Sequence, residues 1–227
     1  MIIVITGCSK GIGLELVKIW AKQHKVYGIS RDLSKLKELK SSLLVTDNFD
    51  FLARDITQLN SEILNNWIVE DKIDLLINNA GILINKPFKE IRYDDYRKLM
   101  DINYWASFNL SQLLLEKLSN AKGQIFNLSS MGGVNYSSKF PGLSLYSSSK
   151  AAISILTECL AEELKELNVR VNAFALGSVQ TEMLDKAFPG YNAGISAVEM
   201  ASFIVNFISS SKNLVNGQVI RVAKSNP

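Results

Sequence analysis

The sequence predicts an α/β fold in which a doubly wound parallel sheet of about seven strands carries helices on both faces. Short apolar runs rich in β-branched residues alternate with longer amphipathic stretches, and this alternation indicates β-α-β units. The runs are almost entirely apolar, which is typical of strands covered on both faces. Crossovers between parallel strands are right-handed, so successive helices distribute over the two faces.

The order of the elements follows from these patterns. The candidate strands are residues 2–6, 25–30, 49–55, 73–79, 123–129, 169–175 and 217–223. The helical patterns are residues 13–24, 34–44, 60–70, 93–118, 148–167 and 196–209. Two less regular segments, 131–145 and 177–195, follow strands on the carboxyl side of the sheet, where doubly wound folds bind ligands. No linker or repeat interrupts the chain, so residues 1–227 are predicted to form one domain.

The composition excludes several classes of protein. Hydrophobic residues make up 47% and charged residues 21%, and the net charge of +3 is too weak and too dispersed to indicate nucleic-acid binding. The two cysteines and one histidine show no metal-ligand spacing. No apolar run approaches the roughly 18 residues of a membrane span, and no basic leader marks a signal peptide. We therefore expect a cytoplasmic protein with no metal, membrane or nucleic-acid partner.

The first predicted strand leads directly into a glycine-rich turn, T6-G-C-S-K-G-I-G13, which opens a helix. Glycine permits a positive φ and a close backbone approach to a ligand. A helix N-terminus presents free N–H groups that attract phosphate. The position between strand and helix favours a dinucleotide phosphate site over the alternative of a simple tight turn. The candidate contacts are Gly7, Ser9, Lys10, Gly11, Ile12 and Gly13.

The end of the second predicted strand indicates which dinucleotide binds. Ser30 ends this strand and Arg31 follows it. An acidic residue here would accept hydrogen bonds from the ribose hydroxyls, whereas an arginine pairs with a 2′-phosphate. Lys10 adds a second cation, so we predict NADP(H) rather than NAD(H). The alternatives are that Arg31 is a solvated surface cation and that Asp32 reaches the ribose.

A second motif, Y146-S-S-S-K150, places a phenol and an ammonium one helical turn apart. A nearby positive charge lowers the pKa of a tyrosine and makes it a usable acid or base near neutral pH. Taken alone, the spacing is more often a solvated helix start. Motifs elsewhere in the chain are needed to choose between a catalytic pair and a solvated helix start.

Four motifs occur in a fixed order: T6-G-x-x-x-G-I-G13, N78-N-A-G81, N127-L-S-S130 and Y146-S-S-S-K150. Together they resemble the short-chain dehydrogenase/reductase family in its single-domain, NADP(H)-type form with a Rossmann-like sheet. The resemblance covers essentially the whole chain. It implies an oxidoreductase that interconverts a small-molecule carbonyl and an alcohol by hydride transfer, and that assembles as a homodimer or homotetramer.

The resemblance also implies catalytic roles for four residues. Tyr146 would exchange a proton with the substrate oxygen, and Ser130 would hold that oxygen by a hydrogen bond. Lys150 would lower the pKa of the tyrosine and bind the nicotinamide ribose. Asn103 would anchor a proton-relay water. The alternatives are Ser129 as the hydrogen-bonding serine and Asn103 as the partner of a buried backbone group.

Further cofactor contacts follow from the same resemblance. Asp55 would lie at the adenine, with a helix N-cap as its alternative role. The remaining predicted contacts are Asn79, Ala80, Gly81, Gly177, Val179 and Thr181, besides Tyr146 and Lys150. The chain departs from the family at Leu176-Gly177, where Pro-Gly is usual, and its segment after Met183 is short for a lid. Mostly apolar candidates for the substrate pocket are Gly132, Val134, Phe140, Leu143, Phe188 and Tyr191.

Three other functions share this scaffold. A 3-oxoacyl carrier-protein reductase resembles this chain but carries arginines near two helix ends, where Ala121 and Leu167 stand here. A catalytically silent dinucleotide-binding protein would not need the complete Tyr, Lys, Ser and Asn set. An epimerase or a lyase is the third alternative.

Overall fold

The computed structural model describes residues 1–211 and 214–224. Its strands are β1 (Ile2–Thr6), β2 (Lys25–Ser30), β3 (Phe49–Ala53), β4 (Leu75–Asn78), β5 (Gln124–Ser130), β6 (Arg170–Leu176) and β7 (Val219–Val222). They form one seven-stranded sheet in the order β3-β2-β1-β4-β5-β6-β7. All six neighbouring pairs are parallel. The predicted doubly wound α/β class is confirmed.

The helices depart from the prediction in two places. They are α1 (Gly11–Trp20), α2 (Leu33–Ser42), α3 (Ser61–Trp67), α4 (Tyr93–Met100), α5 (Ala106–Leu113), α6 (Leu115–Ala121), α7 (Ser144–Glu163), α8 (Glu182–Ala187) and α9 (Ala197–Ser211). A π-helical segment, Asp101–Trp105, and a break at Leu114 divide the helix predicted over 93–118. Helix α8 lies inside 177–195, which was predicted to be irregular, and the Thr181 side chain caps it.

Successive residues of a strand pack into two separate apolar cores, one on each face of the sheet. In β1, Ile3 and Ile5 pack with α1, α2 and α9 on one face, whereas Val4 packs with α3, α5 and α6 on the other. The same alternation recurs in β5, where Phe126 and Ile125 face opposite cores. Side chains of a strand alternate between faces, so strands that are apolar throughout require helices on both sides.

The strand order reverses between β1 and β4, and this switch point is locked by hydrogen bonds. The Asn79 side chain donates from Nδ2 to the carbonyls of Thr6, at 2.8 Å, and Gly7, at 3.1 Å. The Thr6 hydroxyl accepts from the backbone N–H groups of Asn79, at 3.0 Å, and Ala80, at 2.9 Å. The glycine turn is therefore fixed against the loop after β4, at the place where doubly wound folds bind ligands.

The single-domain prediction covers residues 1–227 and stays a prediction for the whole chain. Residues 212, 213 and 225–227 lie outside the described residues. In the part that the structure does describe, no helix combines the length and apolar character that a membrane crossing needs.

Candidate active site

The loops at the carboxyl edge of the sheet enclose a cavity of about 740 Å³. It extends from the residues after β2 and β3, past the glycine turn, to the start of α7. Most of the predicted contact residues line it: Gly7, Ser9, Lys10, Gly11, Ile12, Arg31, Asp55, Asn79, Ala80, Gly81, Ser130, Tyr146, Lys150, Gly177, Val179 and Thr181. The structure thus brings the separate sequence motifs to one site.

Gly13 was predicted to contact the cofactor, but it does not line this cavity. A Cβ at this position would lie 2.5 Å from both Asn79 Nδ2 and the Gly7 carbonyl oxygen. A side chain there would push α1 away from the switch point. Packing behind the turn, rather than exposure to a ligand, therefore requires glycine at this position.

The glycine turn has the backbone geometry of a phosphate cradle. Gly7 has φ +69° and Gly11 has φ +56°, in the left-handed region that favours glycine. Lys10 stands at the N-cap of α1 without a side-chain capping bond, so the first-turn N–H groups lack that partner. Gly11 and Ile12 of that turn line the cavity. The site can therefore accept an anion at this helix end.

The end of the cavity at β2 and β3 holds paired polar groups. The Ser30 hydroxyl donates to Ser9 Oγ at 2.8 Å. Arg31, whose side chain is 64% exposed, lies 3.7 Å from Asp55 Oδ2. The Asp55 carboxylate also accepts from the Thr57 N–H, at 3.0 Å, and hydroxyl, at 2.8 Å. The alternative N-cap role of Asp55 is therefore present, and the carboxylate positions Arg31 as well.

Asp32 caps α2 with its carboxylate. Oδ1 accepts from the Lys35 N–H, at 3.1 Å, and from the Ser34 hydroxyl, at 2.9 Å. These hydrogen bonds hold the pKa of Asp32 below its usual value, the backbone bond from Lys35 contributing most. Lys35 itself lines the cavity and was missed in the sequence. Its spacing from the capping Asp32 would have placed it in the first turn of α2, beside the site.

Lys150 is buried at the base of the cavity, one turn after Tyr146 on α7. The side chain of Lys150 is only 6% exposed, and Nζ donates to the Leu128 carbonyl at 2.7 Å. A Cβ built on Gly81 would lie 3.5 Å from Nζ. Burial lowers the pKa of Lys150 to about 8. The ammonium is thus close to releasing its proton near neutral pH.

The expected lowering of the tyrosine pKa by Lys150 is not found. Burial raises the pKa of Tyr146, and a hydrogen bond with the Ser130 side chain opposes the rise. The ammonium of Lys150 is directed at the Leu128 carbonyl in this arrangement. The phenol alone is therefore a weaker acid here, and it stays protonated near neutral pH.

The two candidate serines differ in what their hydroxyls do. Ser129 is 4% exposed, and its hydroxyl donates to the Lys150 carbonyl at 2.8 Å and contacts Ser154 Oγ at 2.8 Å. Ser130 ends β5, and its Oγ accepts from the Gly132 N–H at 3.2 Å. The Ser129 hydroxyl is thus engaged by two partners on α7, whereas the Ser130 side chain hydrogen-bonds with Tyr146, so the structure favours Ser130 over Ser129.

Asn103 lies behind the cavity wall, in the π-helical segment. It is 1% exposed; its Oδ1 accepts from the Ile82 N–H at 2.8 Å, and its Nδ2 donates to the Ile82 carbonyl at 2.9 Å. A further bond runs from Nδ2 to Ser149 Oγ at 3.0 Å. The alternative role, pairing with buried backbone, is present. The relay role stays a prediction, although π-helical segments are frequent at functional sites.

The far end of the cavity is mostly apolar. Five of the six predicted pocket residues line it, namely Gly132, Phe140, Leu143, Phe188 and Tyr191. Val134 does not, because it packs in a separate cluster with Met131 and Ala175. Apolar wall residues that were not predicted from the sequence include Ile56, Ile82, Leu83, Leu128 and Met183. Each of them is within two residues of a residue that the motifs had singled out.

Comparison with known proteins agrees with this geometry. A family model for short chain dehydrogenases matches residues 1–192. The chain belongs to the short-chain dehydrogenase family. It is therefore an oxidoreductase that acts on alcohol and carbonyl groups with a nicotinamide dinucleotide.

Two curated relatives show the range of this family. The short-chain dehydrogenase cctT of Talaromyces islandicus is 33% identical over 185 residues, a match that spans 79% of this chain and 63%, less than two thirds, of cctT. The 3-oxoacyl-(acyl-carrier-protein) reductase FabG of Rickettsia bellii (strain RML369-C) is 29% identical over 233 residues, covering 96% of this chain and 93% of FabG.

Solved structures with a similar fold contain either nicotinamide cofactor. The structure described as ElxO with NADP bound has a TM-score of 0.84 and 27% identity, covering 97% of this chain and 96% of that one. A 4-hydroxyisoleucine dehydrogenase complexed with NADH has a TM-score of 0.82 and 25% identity, covering 98% and 96%. These neighbours support a dinucleotide site without choosing between the two cofactors.

Replacing the buried lysine by an apolar side chain should stabilise the cofactor-free enzyme near neutral pH. The lowered pKa of Lys150, about 8 against 10.5, corresponds to about 3 kcal/mol of unfavourable charge burial. This penalty is complete below pH 8, where folded and unfolded lysines are both protonated, and it fades towards pH 10.5 as the unfolded lysine also loses its proton. Lys150→Met should therefore gain more free energy of unfolding over wild type at pH 7 than at pH 10.

Urea unfolding of both proteins at the two pH values measures this difference. A gain from Lys150→Met that is the same at pH 7 and pH 10 would show that the buried ammonium carries no such penalty.

Proposed function

We propose that this short-chain dehydrogenase uses NADP(H) to interconvert a modestly hydrophobic carbonyl compound and its alcohol. The observation that carries the proposal is the pairing of the Ser130 and Tyr146 side chains at one end of a cavity. The other end of the same cavity holds the cations Arg31 and Lys35. Hydroxyl donors suit a carbonyl oxygen, and cations suit a 2′-phosphate.

The residues present fit a nicotinamide dinucleotide. The two left-handed glycines and the first turn of α1 form an anion cradle midway along the cavity. A Cβ at position 11 would lie 3.3 Å from the Thr181 methyl and 3.9 Å from Glu182 Oε2, so glycine keeps this part of the turn free of a side chain. When bound, the dinucleotide supplies or accepts the hydride.

The protein residues would handle the proton and the developing charge. In the reducing direction, the oxygen of the substrate accepts hydrogen bonds from Ser130 Oγ and Tyr146 Oη, and it takes the Tyr146 proton as negative charge grows on it. Two preorganised donors stabilise that charge. Lys150, with its pKa lowered to about 8, can then return a proton towards the phenolate.

The raised pKa of Tyr146 suggests an order of events. The phenol resists ionisation while the Lys150 ammonium is bonded to the Leu128 carbonyl. A second positive charge next to the phenol would favour the phenolate. The oxidised dinucleotide ring carries such a charge, so we propose that Tyr146 becomes an effective base only in the cofactor complex.

A second candidate is a 3-oxoacyl carrier-protein reductase. The similarity to FabG over 96% of this chain favours it. The ends of the relevant helices weigh against it, because Ala121 closes α6 and Leu167, 40% exposed, follows α7, and neither offers the cation that an acidic carrier protein would meet. We therefore keep the free carbonyl compound as the proposed substrate.

We also infer a homodimer or homotetramer in the cytoplasm. Apolar side chains are exposed on two helical segments, with Trp105 47% and Ile155 58% exposed. The Trp105 ring stacks on Phe108 with 5.6 Å between ring centroids. A second copy of the chain would cover this apolar surface.

Tyr146→Phe should bind the cofactor with unchanged affinity but lose about 10²–10⁴-fold in turnover, because only the proton-donating hydroxyl is removed. The measurement is the oxidation of NADPH with a panel of ketones, alongside cofactor binding followed by NADPH fluorescence. Near wild-type turnover would remove Tyr146 from the mechanism.

Wild-type protein should prefer NADPH to NADH by about 10²-fold, since charged hydrogen bonds of about 1.5–3 kcal/mol each act on the 2′-phosphate. Ser30→Asp combined with Arg31→Ala should reverse the preference, because the new carboxylate repels the phosphate and accepts from the free ribose hydroxyls. Dissociation constants for both cofactors at two salt concentrations measure this.

Asp32→Asn is the matched control for the cofactor switch. Asp32 caps α2 and asparagine caps a helix about as well, so this variant should leave both the free energy of unfolding and the cofactor preference nearly unchanged. A specific loss of NADH affinity in Asp32→Asn, or equal affinities of wild type for the two cofactors, would mean that Asp32 reads the ribose.

A further inference from the structure

A smaller cavity of about 310 Å³ lies beside the main one, between the loop after β4 and helix α8. Two lysines line it, Lys10 from the glycine turn and Lys186 from α8, together with Asn85 and residues 81–83. Both lysines also line the main cavity. Among the described residues that line the smaller cavity, none is acidic.

Neither lysine has its charge neutralised by a neighbour. The described residues that form ion pairs do not include Lys10 or Lys186. Glu182, one turn before Lys186 on α8, lies instead near the glycine turn, where its Oε2 is 3.9 Å from a Cβ built on Gly11. Asp185 accepts a hydrogen bond from Gln180 Nε2. The two ammonium groups therefore present net positive charge to the cavity.

Helix α8 is held at its start against the glycine turn and at its end against the loop after β4. At its start, the Thr181 methyl lies 3.3 Å from the Cβ position of Gly11. At its end, Asn85 Nδ2 donates to the Ala187 carbonyl at 3.0 Å. These contacts fix the backbone from which Lys186 projects. Lys186 is therefore presented close to the first turn of α1 without any further movement of the chain.

The position of the cavity identifies which anion would bind. It adjoins the glycine turn after β1 and the loop after β4, whereas Ser30, Arg31 and Lys35, which end or follow β2, line only the main cavity. In the order β2-β1-β4, the smaller cavity thus lies on the β4 side of the residues proposed for the 2′-phosphate. A phosphate group at the start of α1 would lie between these two ends of the site.

We propose that Lys186 on α8 is a cofactor-binding residue that, with Lys10, pairs with the diphosphate of the dinucleotide, so that Lys10 acts there and not at the 2′-phosphate for which the sequence suggested it. This inference rests on the proposed function, because it requires a bound dinucleotide. Helix α8 thereby has a specific role, because its Lys186 contacts the diphosphate, which NADH and NADPH share. The contribution of Lys186 to binding is therefore independent of the 2′-phosphate.

The test is equilibrium binding of NADH and of NADPH, followed by nicotinamide fluorescence, to wild type, Lys186→Gln and Lys186→Arg. An ion pair at a partly exposed site is worth up to about 1 kcal/mol, so Lys186→Gln should weaken both cofactors by about fivefold at low salt. The loss should shrink at high salt and be largely restored in Lys186→Arg. Lys22→Gln, an exposed lysine that lines neither cavity, removes the same charge and should change neither affinity.

Three outcomes would overturn the assignment. Unchanged affinities in Lys186→Gln would show that α8 makes no ionic contact with the cofactor. Weakening of NADPH alone would place Lys186 at the 2′-phosphate. Unchanged cofactor affinities with a raised KM for the carbonyl compound would make it a substrate contact. If wild type binds neither cofactor, the proposed function fails, and the assignment of Lys186 fails with it.

Discussion

The buried ammonium of Lys150 is the constraint around which the active site is arranged. Two hydrogen bonds join the end of β5 to helix α7. Lys150 Nζ donates to the Leu128 carbonyl at 2.7 Å, and the Ser129 hydroxyl donates to the backbone carbonyl of Lys150 at 2.8 Å. Ser130 follows directly on that strand, and Tyr146 lies one turn earlier on that helix. The two hydroxyls proposed to hold the substrate oxygen are thus positioned by the element that buries the lysine. A charge in such a place lowers stability, which is a common feature of functional sites.

A layer of buried amides supports this arrangement from behind. Asn78 donates to Asn127 Oδ1 at 2.9 Å, and Asn127 donates to Thr157 Oγ1 at 2.9 Å, so β4, β5 and α7 are tied together. Asn103 connects the loop after β4 to α7 through Ile82 and Ser149. Polar groups that are buried and paired fix one packing arrangement more narrowly than apolar contacts do. The distance between the cofactor cradle and the tyrosine is therefore set by hydrogen bonds rather than by loops.

Patterns that depend on local chemistry could be predicted from the sequence. The alternating apolar runs indicated the sheet and its class, the glycine turn indicated the phosphate site, and the resemblance of the four motifs to a known family implied most of the other predicted contacts. What could not be predicted depends on contacts between distant segments. Lys150 was expected to face the phenol, but its preference for the Leu128 carbonyl is decided by the tertiary packing of α7 on β5. The π-helical turn at Asn103 and the short helix α8 likewise leave no clear periodic signal, since each is under two helical turns long.

We infer that Tyr146 becomes an effective base only when the positive charge of the oxidised cofactor lies beside the phenol. The most direct measurement is the phenolate absorbance of Tyr146, obtained as the difference between wild type and Tyr146→Phe during a pH titration with and without NADP⁺. Because burial opposes the phenolate, we expect a pKa above the usual value of tyrosine in the cofactor-free protein and a clearly lower pKa with NADP⁺ bound. The same pKa in both titrations, or a pKa that is already lowered without cofactor, would contradict it.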